Sequence, residues 1–249
     1  LLIFKITNMN YLNFIAMSVP TDGTGFTFWL GAMAMMAASV FFFLSMNGVD
    51  AKWRTSLLVS GLITFIAAVH YMYMRDAHAA GDSTTVFRYV DWILTVPLMC
   101  VEFYLILKVA GATKSDMWKL IGASTVMLVT GFFGESGWDG GILSAAMWGL
   151  LSGLAYFWIA YEVWFGGLKK LAVAAGGNVL AAHKTLCWFL LVGWAIYPVG
   201  YMAGTAGWYG DAGLLFGMDV SMEVIYNIGD AVNKIGFGLV VYSLAVKES

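Results

Sequence analysis

The sequence predicts an all-α membrane protein: a seven-transmembrane helix bundle with a short extracellular β-hairpin between helices 2 and 3. Three observations carry that expectation. Hydrophobic residues make up 61% of the 249-residue chain. Charged residues make up 11%, against about 25% in an ordinary soluble protein, which is too few to cover a water-facing surface of this size. Seven stretches approach the roughly 20 apolar residues that a helix needs to cross a bilayer. The 11 Trp and 3 Pro suit helical spans with aromatic rings at the interfaces.

The same composition excludes several function classes. Abundant aromatic and branched residues exclude disorder, and a formal net charge of −2 offers no basic surface for nucleic acid. Cys100 and Cys187 lie in apolar segments outside any CxxC pattern. No His, Cys or acid cluster has metal-ligand spacing.

Along the chain, residues 1–22 form an N-terminal segment in which Lys5, Asn8, Asn10 and Asn13 interrupt an apolar run. It reads as a signal remnant or an interfacial helix. Residues 23–249 form one seven-helix domain, with spans at Phe26–Met46, Ser56–Tyr73, Phe87–Val109, Trp118–Phe133, Gly141–Trp164, His183–Met202 and Val220–Val246. Between the second and third spans, the Gly81-Asp82 turn pair flanked by Thr84, Thr85 and Val86 predicts the hairpin. Lys52, Arg54, Lys108, Lys114, Lys119, Lys169, Lys170, Lys184 and Lys247 fall on one side of the bundle. Lys5, Arg75 and Arg88 fall on the other. The bias places the C-terminus in the cytoplasm and the N-terminus outside.

The charges inside the spans are the functional candidates, because each costs about 2.5–3.5 kcal/mol at mid-bilayer on insertion scales. Lys234 lies in the seventh span, about 18 Å along the helix from Val246, too far for its amine to reach the interface easily. Asp230 is one turn earlier on the same face. The pair is either an ion pair that fastens the bundle or a lysine held in a desolvated pocket, where it can form a Schiff base with an aldehyde. In the third span Asp91, Thr95, Met99 and Glu102 share a stripe, and the two acids stand about 16 Å apart along the axis. That layout suits proton sites on either side of a central barrier. Arg88 is one turn from Asp91, either stabilising its ionised form or pairing with it at the interface. His70 is a packing residue or a hydrogen-bond partner of Asp91. Glu135, ending the fourth span, reads as wetted. Trp92, Trp194, Tyr197 and Tyr226, with a kink at Pro198, suggest a long, flat, apolar chromophore between helices.

These residues carry a resemblance. Arg88-Tyr-Val-Asp-Trp-Ile-Leu-Thr-Val-Pro-Leu, Glu102-Phe-Tyr-Leu-Ile-Leu, Trp194-Ala-Ile-Tyr-Pro-Val-Gly-Tyr, Ile225-Tyr-Asn-Ile-Gly-Asp-Ala-Val-Asn-Lys and His70-Tyr-Met-Tyr-Met-Arg resemble the microbial rhodopsins, most closely the proteorhodopsins. The resemblance covers all seven spans. It implies all-trans retinal on Lys234 as a protonated Schiff base and a light-driven outward proton pump rather than an enzyme. Asp91 matches the counterion and proton acceptor, Asp230 the second counterion, and Glu102 the cytoplasmic donor. His70 matches the partner of the acceptor, and Arg88 the extracellular-side arginine. Trp92, Thr95, Met99, Trp194, Tyr197, Pro198, Tyr226 and Asn227 match the retinal pocket, and the apolar Met99 resembles green-absorbing members.

The resemblance further implies a multi-pass protein of a bacterial inner membrane, in contact with lipid. It also implies a homo-oligomer, pentamer or hexamer, with Trp29 and His70 at contacts between protomers. Gly149 resembles the window residue of relatives that bind a hydroxylated carotenoid antenna; ordinary packing by a small residue is the alternative. The competing function is a photosensory rhodopsin without net transport, against which Glu102 speaks.

Overall fold

The computed structural model describes residues 20, 22–204 and 222–249. All of the N-terminal segment except Pro20 and Asp22 lies outside the described residues, as do Val220 and Ser221 of the seventh span. Nine α-helices are described: α1 (Gly23–Ser45), α2 (Ala51–Ala80), α3 (Thr85–Leu107), α4 (Lys114–Ser136), α5 (Ala145–Trp164), α6 (Gly167–Ala175), α7 (Gly177–Trp188), α8 (Ile196–Gly204) and α9 (Met222–Lys247). A π-helical segment, Phe189–Gly193, joins α7 to α8, and the three together form the sixth span. Six spans are long and apolar enough to cross a membrane. The seventh, α5, has 20 residues, about 30 Å of helix, which is enough to cross. Its Trp and Tyr residues combine apolar rings with a polar N–H or O–H, which makes it less hydropathic than an aliphatic span of the same length.

Local chemistry sets the helix ends. The Asp22 carboxylate accepts the Gly25 amide at 2.6 Å and caps α1. Thr113 and Asp116 form a reciprocal capping box at the start of α4. Ser144 caps α5.

The expected hairpin is absent. No strand occurs among the described residues. Helix α2 runs on to Ala80, and Gly81 closes it in the left-handed conformation, φ 76°, with its N–H on Ala77 and His78 carbonyls. Helix α3 begins at Thr85, so Gly81, Asp82, Ser83 and Thr84 are all that connect the two. The Gly-Asp pair is a helix stop rather than a hairpin turn.

The sixth span is interrupted just before Pro198, where Trp194 and Ala195 form a turn between the π-helical segment and α8. Pro198 sits in the first turn of α8, where a missing N–H is tolerated. The carbonyl of Trp194, which position 198 would otherwise engage, accepts the Tyr197 N–H at 3.1 Å. The irregular stretch is Phe189–Gly193, and side chains take up its backbone oxygens. Tyr156 donates to Leu190 and Leu191 at 3.2 and 3.0 Å, and Asn233 donates to Gly193 at 2.9 Å. A Cβ at position 193 would stand 1.9 Å from Asn233, so α9 can approach here only over a glycine.

The helices pack around one large buried apolar cluster drawn mainly from α2, α3, α5, α7 and α9. Leu44, Val126, Leu154, Phe157, Val192 and Val232 point outward and are exposed, as side chains facing lipid would be.

Candidate functional site

Helices α3 and α9 bring the predicted charges together. Lys234 is 2% exposed. Its amine donates to Asp91 and Asp230, each at 2.6 Å. Asp230 is held from its other side by the Tyr197 hydroxyl at 2.9 Å. The second oxygen of Asp91 is buried with no hydrogen-bond partner. Thr95, one turn on, bonds to the Asp91 main-chain carbonyl at 2.9 Å rather than to its carboxylate. A lone ammonium at this depth would be prohibitive, and the two carboxylates are what make it tolerable.

Glu102 lies on the same stripe of α3, fully buried. Ser60 of α2 donates to one of its oxygens at 2.8 Å, and the other has no partner. Ser60 was not legible as a site residue, since serines in membrane helices usually bond their own backbone.

Two expectations are corrected. Arg88 does not pair with Asp91. It donates to Glu223, at the start of α9, and to Asn227 at 3.1 Å. Its guanidinium lies over the rings of Tyr226, Phe28 and Trp92 at 5.1, 5.6 and 5.9 Å. His70 makes no hydrogen bond to Asp91: its Nδ1 bonds to the Ile66 carbonyl one turn back at 2.8 Å. A carbonyl oxygen only accepts, so Nδ1 is the donor in that bond.

Two acids outside the predicted site join it: Glu135, which the sequence reads as wetted, and Glu223, which sequence reasoning missed. Glu223 accepts from both Arg88 and Thr84, and its signal was an acid in the first turn of a span. Glu135, expected to be wetted, is half-buried and accepts the Tyr89 hydroxyl at 2.8 Å.

Beside the lysine lies an apolar cavity of about 520 Å³. Of the expected pocket residues, Trp92, Trp194, Tyr197, Pro198 and Tyr226 line it. Trp92 packs edge-on against Tyr197 and Tyr226, with ring centroids 4.9 and 5.5 Å away. Thr95, Met99, Asn227 and Lys234 are not part of its wall. Tyr197 connects the two regions, lining the cavity with its ring and holding Asp230 with its hydroxyl. The volume suits an organic cofactor, and walls of aromatic and aliphatic side chains suit a polyene with a single reactive end. The residues therefore fit retinal.

The Gly149 window is also corrected. A Cβ there would stand 2.6 Å from the Tyr201 ring, and the Tyr201 hydroxyl is fastened to the Ala145 carbonyl at 2.6 Å. Gly149 seats a tyrosine, and the place assigned to a carotenoid ring is filled.

Comparison with known proteins agrees with this geometry. The chain matches the family described as bacteriorhodopsin-like protein over residues 22–248. It is 46% identical to a green-light absorbing proteorhodopsin from Gamma-proteobacterium EBAC31A08 over 231 residues, covering 92% of this chain and 89% of the relative. It is 44% identical to a blue-light absorbing proteorhodopsin from Gamma-proteobacterium Hot 75m4, covering 92% and 88%. The crystal structure of the blue light-absorbing proteorhodopsin from Med12 superposes with a TM-score of 0.73 at 39% identity, covering 92% of this chain and 100% of that one. With a family match across nearly its whole length and the buried lysine and aromatic cavity in place, the chain belongs to the bacteriorhodopsin-like family and is a membrane protein similar to the proteorhodopsins.

Proposed function

We propose that this protein is a light-driven outward proton pump of a bacterial inner membrane, an ion transporter and not an enzyme. The observation that carries the reading is Lys234 clamped between Asp91 and Asp230 beside an aromatic cavity, with a third buried acid, Glu102, on the Asp91 helix. Retinal linked to Lys234 supplies light absorption and a light-driven change at the lysine nitrogen.

The protein groups do the rest. Asp91 accepts the proton at the lysine nitrogen, which already lies within hydrogen-bond reach of it. Asp230, oriented by Tyr197, stays as the fixed partner of the site. Glu102, buried with no cation beside it, holds a proton and returns it from the opposite side. Trp92, Trp194, Tyr197, Pro198 and Tyr226 wall the cavity and exclude water. Thr95 braces the backbone at Asp91, and Asn227 orients Arg88. Met99, fully apolar and buried, favours green absorption.

The lysine and arginine bias puts the N-terminus outside, so Arg88 and Glu223 face the exterior and Glu102 the cytoplasm. Residues 23–249 act as one domain. His70, free of Asp91 and partly exposed, is available with Trp29 for contacts between protomers of a pentamer or hexamer.

The test is light-driven pH change in suspended cells expressing the chain with retinal. Acidification outside that a protonophore abolishes is the expected result. A change that grows with the protonophore would assign transport to another ion. A visible band with no pH change would assign a sensor and remove the role of Glu102.

A further inference from the structure

The cavity is not closed on all sides. Toward one end of the bundle it is sealed by the polar contacts of Arg88, Glu223, Thr84 and Asn227. Toward the other end lie the buried side chains of Phe103, Leu186 and Phe237. Between α5 and the sixth span the wall is different. Leu150, Leu154 and Phe157 of α5 line the cavity, yet they are 48%, 59% and 64% exposed on the outer surface. Leu191, across from them, also lines the cavity and faces outward. A side chain that touches both the cavity and the exterior marks a rim. Leu154 is the tenth of the 20 residues of α5, so this rim sits about 15 Å from either end of the helix, at the level of the hydrocarbon core.

Two tyrosines frame the gap. On one side the Tyr156 hydroxyl bonds to the Leu190 and Leu191 carbonyls at 3.2 and 3.0 Å. On the other the Tyr201 hydroxyl bonds to the Ala145 carbonyl at 2.6 Å. The anchored residues Ala145 and Tyr156 are about 16 Å apart along α5. Between these struts lies Gly153, which lines the cavity and has no atom within 4 Å of where a Cβ would project. The neighbouring Ser152 also lines the cavity, but its hydroxyl is taken by the Met127 carbonyl at 2.7 Å, so the rim offers no free polar group. Gly149 is filled by Tyr201; Gly153 is open.

We propose that retinal reaches its cavity sideways from the bilayer core, through the gap at Gly153 between the Tyr156 and Tyr201 struts. This rests on the assignment of the cavity to retinal. A long apolar aldehyde partitions into hydrocarbon, and a route through either end would carry it past buried charges or through a packed core. The missing side chain at position 153 keeps the gap passable while the two hydroxyl struts hold the helices in register.

The experiment uses full-length protein made without retinal in native membranes. All-trans retinal is added, and growth of the visible band is timed for the parent and for Gly153→Ala, Gly153→Val and Gly153→Phe. The rate falls as the side chain grows, by about tenfold or more for Phe, equivalent to about 1.4 kcal/mol on the barrier. Each rate is read against that variant's own final band, so that speed of entry and final occupancy are separated. Gly122→Phe, on an outward face of α4 with open space around it, leaves the rate at the parental value. Quenching of tryptophan emission by all-trans retinol, which has no aldehyde to attach, slows in the same order.

Parental rates in all three variants would overturn the route. So would slowed band growth with unslowed quenching, which assigns Gly153 to attachment. Parental rates for Ala and Val with no pigment for Phe under any condition would make Gly153 plain cavity wall. No visible band in the parent would overturn the cavity assignment beneath the proposal.

Discussion

Glu102→Gln tests the division of labour along α3 most directly. Glu102 and Asp91 are 11 residues apart on one helix face, about 16 Å along the axis. Only Phe103–Leu107 follow Glu102 before the helix ends, about 7.5 Å of helix. In that stretch Phe103, Ile106 and Leu107 are fully buried. With Glu102 present, return of the proton to the lysine nitrogen is intramolecular and its rate does not follow bulk proton concentration. With Gln, each returning proton comes from solution. Taking an encounter ceiling of about 10⁹–10¹⁰ M⁻¹ s⁻¹, the step at pH 7 is capped at about 10²–10³ s⁻¹, and the cap falls tenfold with each added pH unit. The buried apolar residues lower it further. The assay is flash photolysis of the reconstituted pigment from pH 6 to pH 9, following recovery of the visible band. The expected result is a recovery in the variant that slows about tenfold per pH unit, against a nearly flat profile in the parent. Recovery in Glu102→Gln as fast as the parent's and independent of pH would refute the assignment.

Asp91→Asn removes the acceptor while leaving Lys234 paired with Asp230. It should retain a visible band and acidify the medium at under about a tenth of the parental rate in the cell-suspension assay, as loss of a proton-transfer group predicts; parental pumping would exclude the role. Tyr197→Phe removes the hydroxyl bond to Asp230. A bond to a charged group contributes about 1.5–3 kcal/mol, so thermal bleaching should begin about 3–12 °C lower; an unchanged midpoint would show the bond to be dispensable. In the loop before α5, the Leu143 amide, the Trp148 indole and the Gly141 amide hold the Asp139 carboxyl down to about 2. Its value is lowered in the folded state, so the stabilisation is present above about pH 4 and lost as pH falls through about 2. Hydrogen exchange at Gly141 and Leu143 should therefore be slow at pH 6 in the parent and fast in Asp139→Ala; equal protection in the two would contradict it.

The bundle was legible because membrane helices must be apolar over a fixed length, and the buried charges were legible because each is costly enough to need a reason. Asp91, Glu102, Asp230 and Lys234 are thus found from one chain alone. What the sequence could not convey was pairing. Arg88 is one turn from Asp91, yet it turns to Glu223, 135 residues away, a contact that helical spacing cannot anticipate. His70 spends Nδ1 on its own backbone, a local option open to any histidine in a helix. The hairpin failed because Gly followed by Asp serves a helix stop as well as a β-turn, and the length of α2 decides between them. Gly149 and Gly153 are indistinguishable by spacing, and only the position of Tyr201 separates a filled notch from an open one.

Direction follows from the unequal surroundings of Lys234 on its two sides. Beyond Asp91, toward the Arg88 end, polar groups continue: Asn227, Arg88, Glu223 and Thr84 are joined by hydrogen bonds, and Glu223 is 31% exposed. Nearby, Tyr89 bonds to Glu135. On that side of Asp91 a hydrogen-bonded polar chain thus leads to solvent at its end. Toward Glu102 the intervening stripe holds Thr95, its hydroxyl taken by the Asp91 main-chain carbonyl, and then Met99, with Val96, Phe103 and Phe237 buried around it. Glu102 has only neutral hydroxyls for company, Ser60 bonded to it and Ser56 beside it. A charged carboxylate there is unsupported and a neutral one is stable, so the acid stores a proton rather than conducting one. In the proposed roles, a proton leaving the lysine meets the packed side as a barrier, and the reservoir at Glu102 is drawn on only after Asp91 has been filled. In the proposed orientation that order is outward, and it resides in where the polar atoms stop.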